Sequence, residues 1–275
     1  MEDRVVDEQE GRADGARWWG SGNAYEPYVG RWSRPVAREF LAWLAVPSGG
    51  RWLDVGCGTG ALSETILSLA SPDEISGIDP SPEFIAFARD RVKDPRVRFD
   101  IGDAQALQAD SATFDAAVSG LVLNFVPEPG KAVAEMARVT RPGGTVAAYV
   151  WDYAEGMQMM RHFWDAAGAL DPGARELDEG RRFPLCKPEP LADLFRSTGL
   201  EDVEVRAIDV PTVFRDFDDY WSPFLGGKAP APAYAMSLSE ERKAELRERI
   251  RASLPTNAEG EHHLTARAWA VRGVC

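Results

Sequence analysis

Residues 51–60 read Arg-Trp-Leu-Asp-Val-Gly-Cys-Gly-Thr-Gly, and no other segment limits the possible folds of this chain so strongly. A short apolar strand (Trp52, Leu53, Val55) runs into glycines at alternate positions, Gly56, Gly58 and Gly60, and a helix-forming sequence follows. Without a Cβ the backbone can turn sharply and pass close to a ligand. The helix behind the loop offers unpaired N–H groups and a partial positive charge. A strand–glycine loop–helix unit of this kind is a nucleotide-type site.

The same alternation continues along the chain. Ahead of the loop a helix is expected with Ser33 as N-cap, Pro35 in its first turn and an apolar stripe at Val36, Phe40, Trp43 and Leu44. Behind it, Leu62, Ile66 and Leu69 mark a helix face, Ile75–Ile78 a strand ending at Asp79, and Ser81-Pro82 the start of a helix carrying Ile85, Ala88 and Val92. Further strands are expected at Val97–Ile101, Asp115–Leu121 and Thr145–Val150. A helix on Ala132, Met136 and Val139 should stop at Arg141-Pro142-Gly143-Gly144. A helix over Pro188–Thr198 then precedes strands at Val203–Val210 and Leu264–Val271. Repeated βα units imply an α/β fold, a seven-stranded, mainly parallel sheet with helices on both faces. Ligands of such sheets sit beyond the carboxyl ends of the strands. The glycine loop, Asp79, Asp103 and Ser119 all fall on that edge.

Two segments, 152–187 and 214–260, break the alternation and are expected to be insertions in one domain spanning residues 23–275. The second contains Ser237-x-x-Glu240, read as a capping box, then Leu246, Ile250 and Leu254 on one helix face. Both are rich in methionine and aromatic residues (Met157, Met159, Met160, Phe163, Trp164, Tyr220, Trp221, Phe224) and are expected to form a lid over the site. Residues 1–22 are polar and acidic and are expected to be flexible.

Composition removes several function classes. A net charge of −13 with no cluster of Lys and Arg argues against a nucleic-acid partner. No apolar run is long enough for a membrane span and no signal peptide opens the chain, so a cytoplasmic protein is expected. The three cysteines, Cys57, Cys186 and Cys275, form neither a disulfide framework nor a metal-binding pair, and no metal is expected.

Gly56-Cys57-Gly58-Thr59-Gly60-Ala61 also fits the dinucleotide pattern G-x-G-x-x-G/A, with Asp79 placed where a ribose-binding acid belongs, so an NAD(P)-dependent oxidoreductase is one reading. Three details favour S-adenosylmethionine. Asp54 lies inside the first strand, suited to an ammonium group rather than a pyrophosphate. Gly60 widens the loop. Asp103, in Ile101-Gly102-Asp103-Ala104, follows the third strand and suits an adenine amino group. On these motifs residues 50–150 resemble the class I S-adenosylmethionine-dependent methyltransferases, on the small-molecule branch that includes the ubiquinone and menaquinone biosynthesis methyltransferases. The resemblance implies a Rossmann-like fold and methyl transfer to a small, largely apolar organic acceptor, with S-adenosylhomocysteine as product. A protein that binds the cofactor without transferring the methyl group is a further reading.

The resemblance also implies roles. Gly56, Cys57, Gly58 and Gly60 would border the methionine portion, and Asp54 would orient the loop or meet the amino group. Asp79 would take the ribose hydroxyls, with Pro80 against the adenine, whose edge Asp103 and Ala104 would read. Ser119 and Gly120 would lie beside the methionine backbone, and Tyr25, Tyr28 and Arg31 would close over the cofactor. In-line displacement from a sulfonium asks mainly for alignment in a dry pocket. If a general base is used, His162 and Tyr153 are candidates, with Asp152 and Glu155 beside them; His262 and His263 read as surface residues.

Overall fold

The computed structural model describes residues 30–226 and 229–275. The expected flexible segment 1–22, and Tyr25 and Tyr28, lie outside the described residues. The apolar runs become one sheet of β1 (Arg51–Val55), β2 (Glu74–Asp79), β3 (Val97–Ile101), β4 (Phe114–Gly120), β5 (Thr140–Trp151), β6 (Glu201–Phe214) and β7 (His262–Val274), in the order β3-β2-β1-β4-β5-β7-β6. The pairs from β3 through β5 are parallel, whereas β7 runs antiparallel to both β5 and β6. The strand order changes direction between β1 and β4, where ligands of doubly wound sheets sit. β1 is buried at four of its five positions, as a strand covered on both faces requires.

Helices α1 (Ser33–Leu44), α2 (Ala61–Leu69), α3 (Pro82–Arg91), α4 (Pro129–Val139) and α7 (Pro188–Ser197) cover the sheet. α1 buries Val36, Phe40 and Leu44 completely or nearly so. Its cap differs from expectation: Trp32 holds the N-cap position and the Ser33 hydroxyl donates to Gly30 O at 2.6 Å. Ser81 does cap α3, accepting from Phe84 N.

Residues Arg141-Pro142-Gly143-Gly144 belong to β5 rather than to a loop before it. Phe114 pairs with Thr140 and Ala116 with Thr145, so the segment bulges out between two ladder positions. The bulge is tied down by Gly143 N donating to Cys275 O and Cys275 N to Gly144 O. β4 stops at Gly120, one residue short of expectation, because Leu121 turns to φ +64°.

The insertions fold as α5 (Gln158–Leu170) and α6 (Glu179–Arg182), then α8 (Phe217–Trp221), α9 (Pro230–Ser237) and α10 (Glu240–Ser253). Ser239, not Ser237, caps α10; the Ser237 hydroxyl closes the preceding helix onto Tyr234 O. The aromatic residues pack on one another: Phe163 stacks on Phe224 at 4.5 Å, Trp164 lies 5.9 Å from Tyr234, and the Tyr220 hydroxyl donates to Met159 O. His262 is buried at 3 % exposure within β7, edge-on to Phe217, in place of the surface position expected; His263 is exposed beside Glu261. No helix among the described residues is long and apolar enough to cross a membrane.

Candidate functional site

The carboxyl ends of β1 to β5 surround a cavity of about 350 Å³. Its floor is the turn from β1 into α2. Gly56, Gly58 and Gly60 all have positive φ, at 75°, 52° and 82°, a conformation that penalises any residue carrying a Cβ. At Gly56 a Cβ would also stand 2.5 Å from a Val122 methyl, while at Gly58, which lines the cavity, its nearest neighbour would be Gly56 O at 4.0 Å. Gly56 N and Cys57 N both donate to Ile78 O, which fixes the loop to the end of β2.

Asp79, at that strand end, accepts from Gly58 N at 3.0 Å on one oxygen and from Ser81 N at 2.9 Å on the other. Burial raises its pKa, against the lowering effect of these two N–H groups. Each oxygen keeps a lone pair for a ligand. Asp54 is buried at 1 % exposure; one oxygen accepts from the Ser63 hydroxyl at 2.6 Å and the other has no partner among the described residues. Burial pushes its pKa up to about 7, with the neighbouring charge of Asp79 adding to the rise and Ser63 opposing it. Asp103 is exposed at the end of β3, bracing Gln105 through its backbone N–H at 2.9 Å. Pro80, Ala104 and Gly120 also line the cavity.

Cys57 lines it too, but as a buried thiol whose pKa burial drives well above its ordinary value, so it is filler and not a nucleophile.

Several expected residues are elsewhere. Ser119 is fully buried and its hydroxyl donates to Val55 O at 2.8 Å, joining β4 to β1 beneath the cavity. Arg31 pairs with Asp219 at 3.0 Å and lies over the Phe214 ring, away from the lining. His162 faces α10, 3.4 Å from the Ser253 hydroxyl, and burial lowers its pKa. Tyr153 packs on Phe183, and Asp152 is turned to Glu155 N. None of these lines the cavity. The insertions contribute no lining residue among those described; they reach its rim through Phe183, 5.2 Å from Phe125.

Sequence reasoning missed Ser33, Phe84, Gln105, Phe125, Val126 and Tyr149, which all line the cavity. Val126-Pro127 just beyond β4 was a legible loop signal on this edge.

The donor set fits S-adenosylmethionine. An unpartnered buried carboxylate oxygen suits an ammonium group, a carboxylate held by two backbone N–H groups suits a ribose diol, and the opening left by Gly58 admits a chain between them.

Residues 53–148 match the family model described as Methyltransferase domain. The chain is 33 % identical over 190 residues to the ubiquinone biosynthesis O-methyltransferase of Xanthomonas axonopodis pv. citri, covering 67 % of this chain and 76 % of that protein. It is 34 % identical over 186 residues to the demethylmenaquinone methyltransferase of Roseiflexus castenholzii, covering 61 % and 75 %. Phosphoethanolamine N-methyltransferase 2 of Haemonchus contortus, solved in complex with S-adenosyl-L-methionine, shares the fold with a TM-score of 0.53 at 19 % identity, over 89 % of this chain and 53 % of that one.

Proposed function

This chain belongs to the S-adenosylmethionine-dependent methyltransferases, and from that premise we propose that it methylates a small, largely apolar hydroxyaromatic acceptor of the quinol or catechol kind. The carrying observation is the wall of the cavity past β4, where Leu121, Val122, Phe125, Val126 and Pro127 stand together. Such a wall takes an apolar body and excludes water from the reacting atoms. The quinone-pathway names of the relatives support the same class.

When bound, S-adenosylmethionine supplies a methyl group on a sulfonium whose displacement leaves a neutral thioether. The chain's own part is alignment. Asp103 and Ala104 hold the adenine end, Asp79 the ribose hydroxyls, and Asp54, ionised by the approach of a cation, the amino group. Gly56, Gly58 and Gly60 let the backbone run beside the methionine portion. The acidic balance of the chain, −13, supports a small-molecule partner over a nucleic acid.

The test is transfer of a labelled methyl group from S-adenosylmethionine to 3-prenylcatechol, to phosphoethanolamine and to an RNA. Label in the catechol, at a rate well above the other two, is expected. Label confined to phosphoethanolamine or RNA, or label in none while S-adenosylhomocysteine binds, overturns the acceptor reading.

A further inference from the structure

Two loops that border the cavity come from strands that are not neighbours. One follows β3 and carries Asp103, Ala104 and Gln105; the other joins β4 to α4 and carries Phe125, Val126 and Pro127. β2 and β1 lie between their parent strands. On the reading above, the first loop meets the adenine end of the cofactor and the second grips the acceptor.

The side chain of Gln105 spans the gap. Its Nε2 donates to the Asp103 carboxylate at 3.2 Å, and its Oε1 accepts from Glu128 N at 3.1 Å. Glu128 is the N-cap residue of α4 and directly follows Pro127, which has no N–H of its own with which to anchor the wall. A primary amide suits both ends, because the carboxylate needs a donor and the backbone N–H an acceptor. A glutamate at 105 would still accept from Glu128 N but would set a second carboxylate against Asp103.

We propose that Gln105 is a positioning residue that makes acceptor binding depend on bound cofactor. Asp103 is exposed and Gln105 half-buried, so with no ligand both side chains can turn into water. With an adenine amino group on it, the Asp103 carboxylate is held, and it holds the Gln105 amide. The amide in turn holds Glu128 N and the wall just ahead of it. That wall is then ordered before the acceptor arrives, and the acceptor binds more tightly for it. The far end of the β3 loop is already fixed, since Leu107 N donates to Glu135 of α4 at 2.9 Å. The Gln105 end is therefore the part that the cofactor can order. This rests on the methyltransferase reading above and deepens it: the cofactor binds first and completes the acceptor side.

Gln105→Met in the full chain keeps the length of the side chain and removes both hydrogen bonds. The first readout needs no acceptor: hydrogen exchange at the Glu128 amide, with and without S-adenosylhomocysteine. The ligand should slow exchange there in wild type and leave it unchanged in the variant. The second readout is affinity for 3-prenylcatechol. S-adenosylhomocysteine should tighten it about tenfold in wild type, the scale of one hydrogen bond, and by less than about twofold in the variant. In turnover the variant should show a KM for the catechol raised about tenfold, with kcat little changed. Gln105→Glu should lose the coupling as well. Exchange slowed equally in wild type and Gln105→Met, or in neither, overturns the proposal, as does equal tightening of the catechol in both. Slowing confined to wild type, with no catechol bound by any complex, overturns the acceptor reading and leaves the Gln105 assignment standing.

Discussion

Asp54 carries opposed demands in one carboxylate. Its ordinary pKa of 3.8 rises to about 7 in the folded protein, chiefly through burial. Between those values the folded chain holds a proton that the unfolded chain has lost, so stability without ligand falls as pH rises from about 4 to about 7. A bound cation reverses the preference, so affinity for S-adenosylhomocysteine should strengthen as pH rises through about 7. Asp54→Asn is predicted to melt higher than wild type at pH 8 without ligand. It should bind S-adenosylhomocysteine some ten- to a hundredfold more weakly there, roughly the value of a charged hydrogen bond, and lose the rise in affinity through neutral pH. Thermal melts and titrations at a series of pH values check both. Glu179, buried against Trp164 and also raised to about 7, will leave the variant some acid-side dependence of stability but none of affinity.

At the scale of the elements, the insertions are separable from the cofactor cavity. Phe163 is fully buried between Phe224, Trp164 and Tyr234, away from the lining. Phe163→Ala should cost about 3–5 kcal/mol of stability, as other large-to-small core changes do. It should leave affinity for S-adenosylhomocysteine within about twofold of wild type, as expected for sites that share no partners. Denaturant unfolding and titration of the same variant decide it. The element boundaries also show what periodicity can and cannot give. β1, β2 and β3 were legible because apolar runs end there at glycine, aspartate or proline. The bulge over 141–144 was not, because a Pro-Gly-Gly run reads locally as a turn and only pairing with β4 and the chain end makes it part of a strand. β6 and β7 extend past their apolar cores because each half pairs with the other, from Phe214 opposite His262 onward. Pairing over so long a separation leaves no local mark.

At the scale of the molecule, the cavity is assembled from the ends of five strands spread between Asp54 and Tyr149. Asp54 and Asp79 were readable because each sits in an apolar strand near its carboxyl end, where burial of a charge needs a reason; Asp103, exposed just past β3, was placed by its spacing alone. Tyr149 was not, since a tyrosine in an apolar run is ordinary core. Ser119 misled for the converse reason: a serine at a strand end looks available, but here its hydroxyl joins two strands. The lid expectation rested on composition alone, and the structure spends those aromatic side chains on each other. The glycine-loop cavity is built for a sulfur nucleoside and not a dinucleotide. Calorimetric titration of the purified chain with S-adenosylhomocysteine and with NAD measures this most directly. The prediction is one site for S-adenosylhomocysteine with a dissociation constant on the order of micromolar and no heat from NAD. Binding of NAD with none of S-adenosylhomocysteine would contradict it.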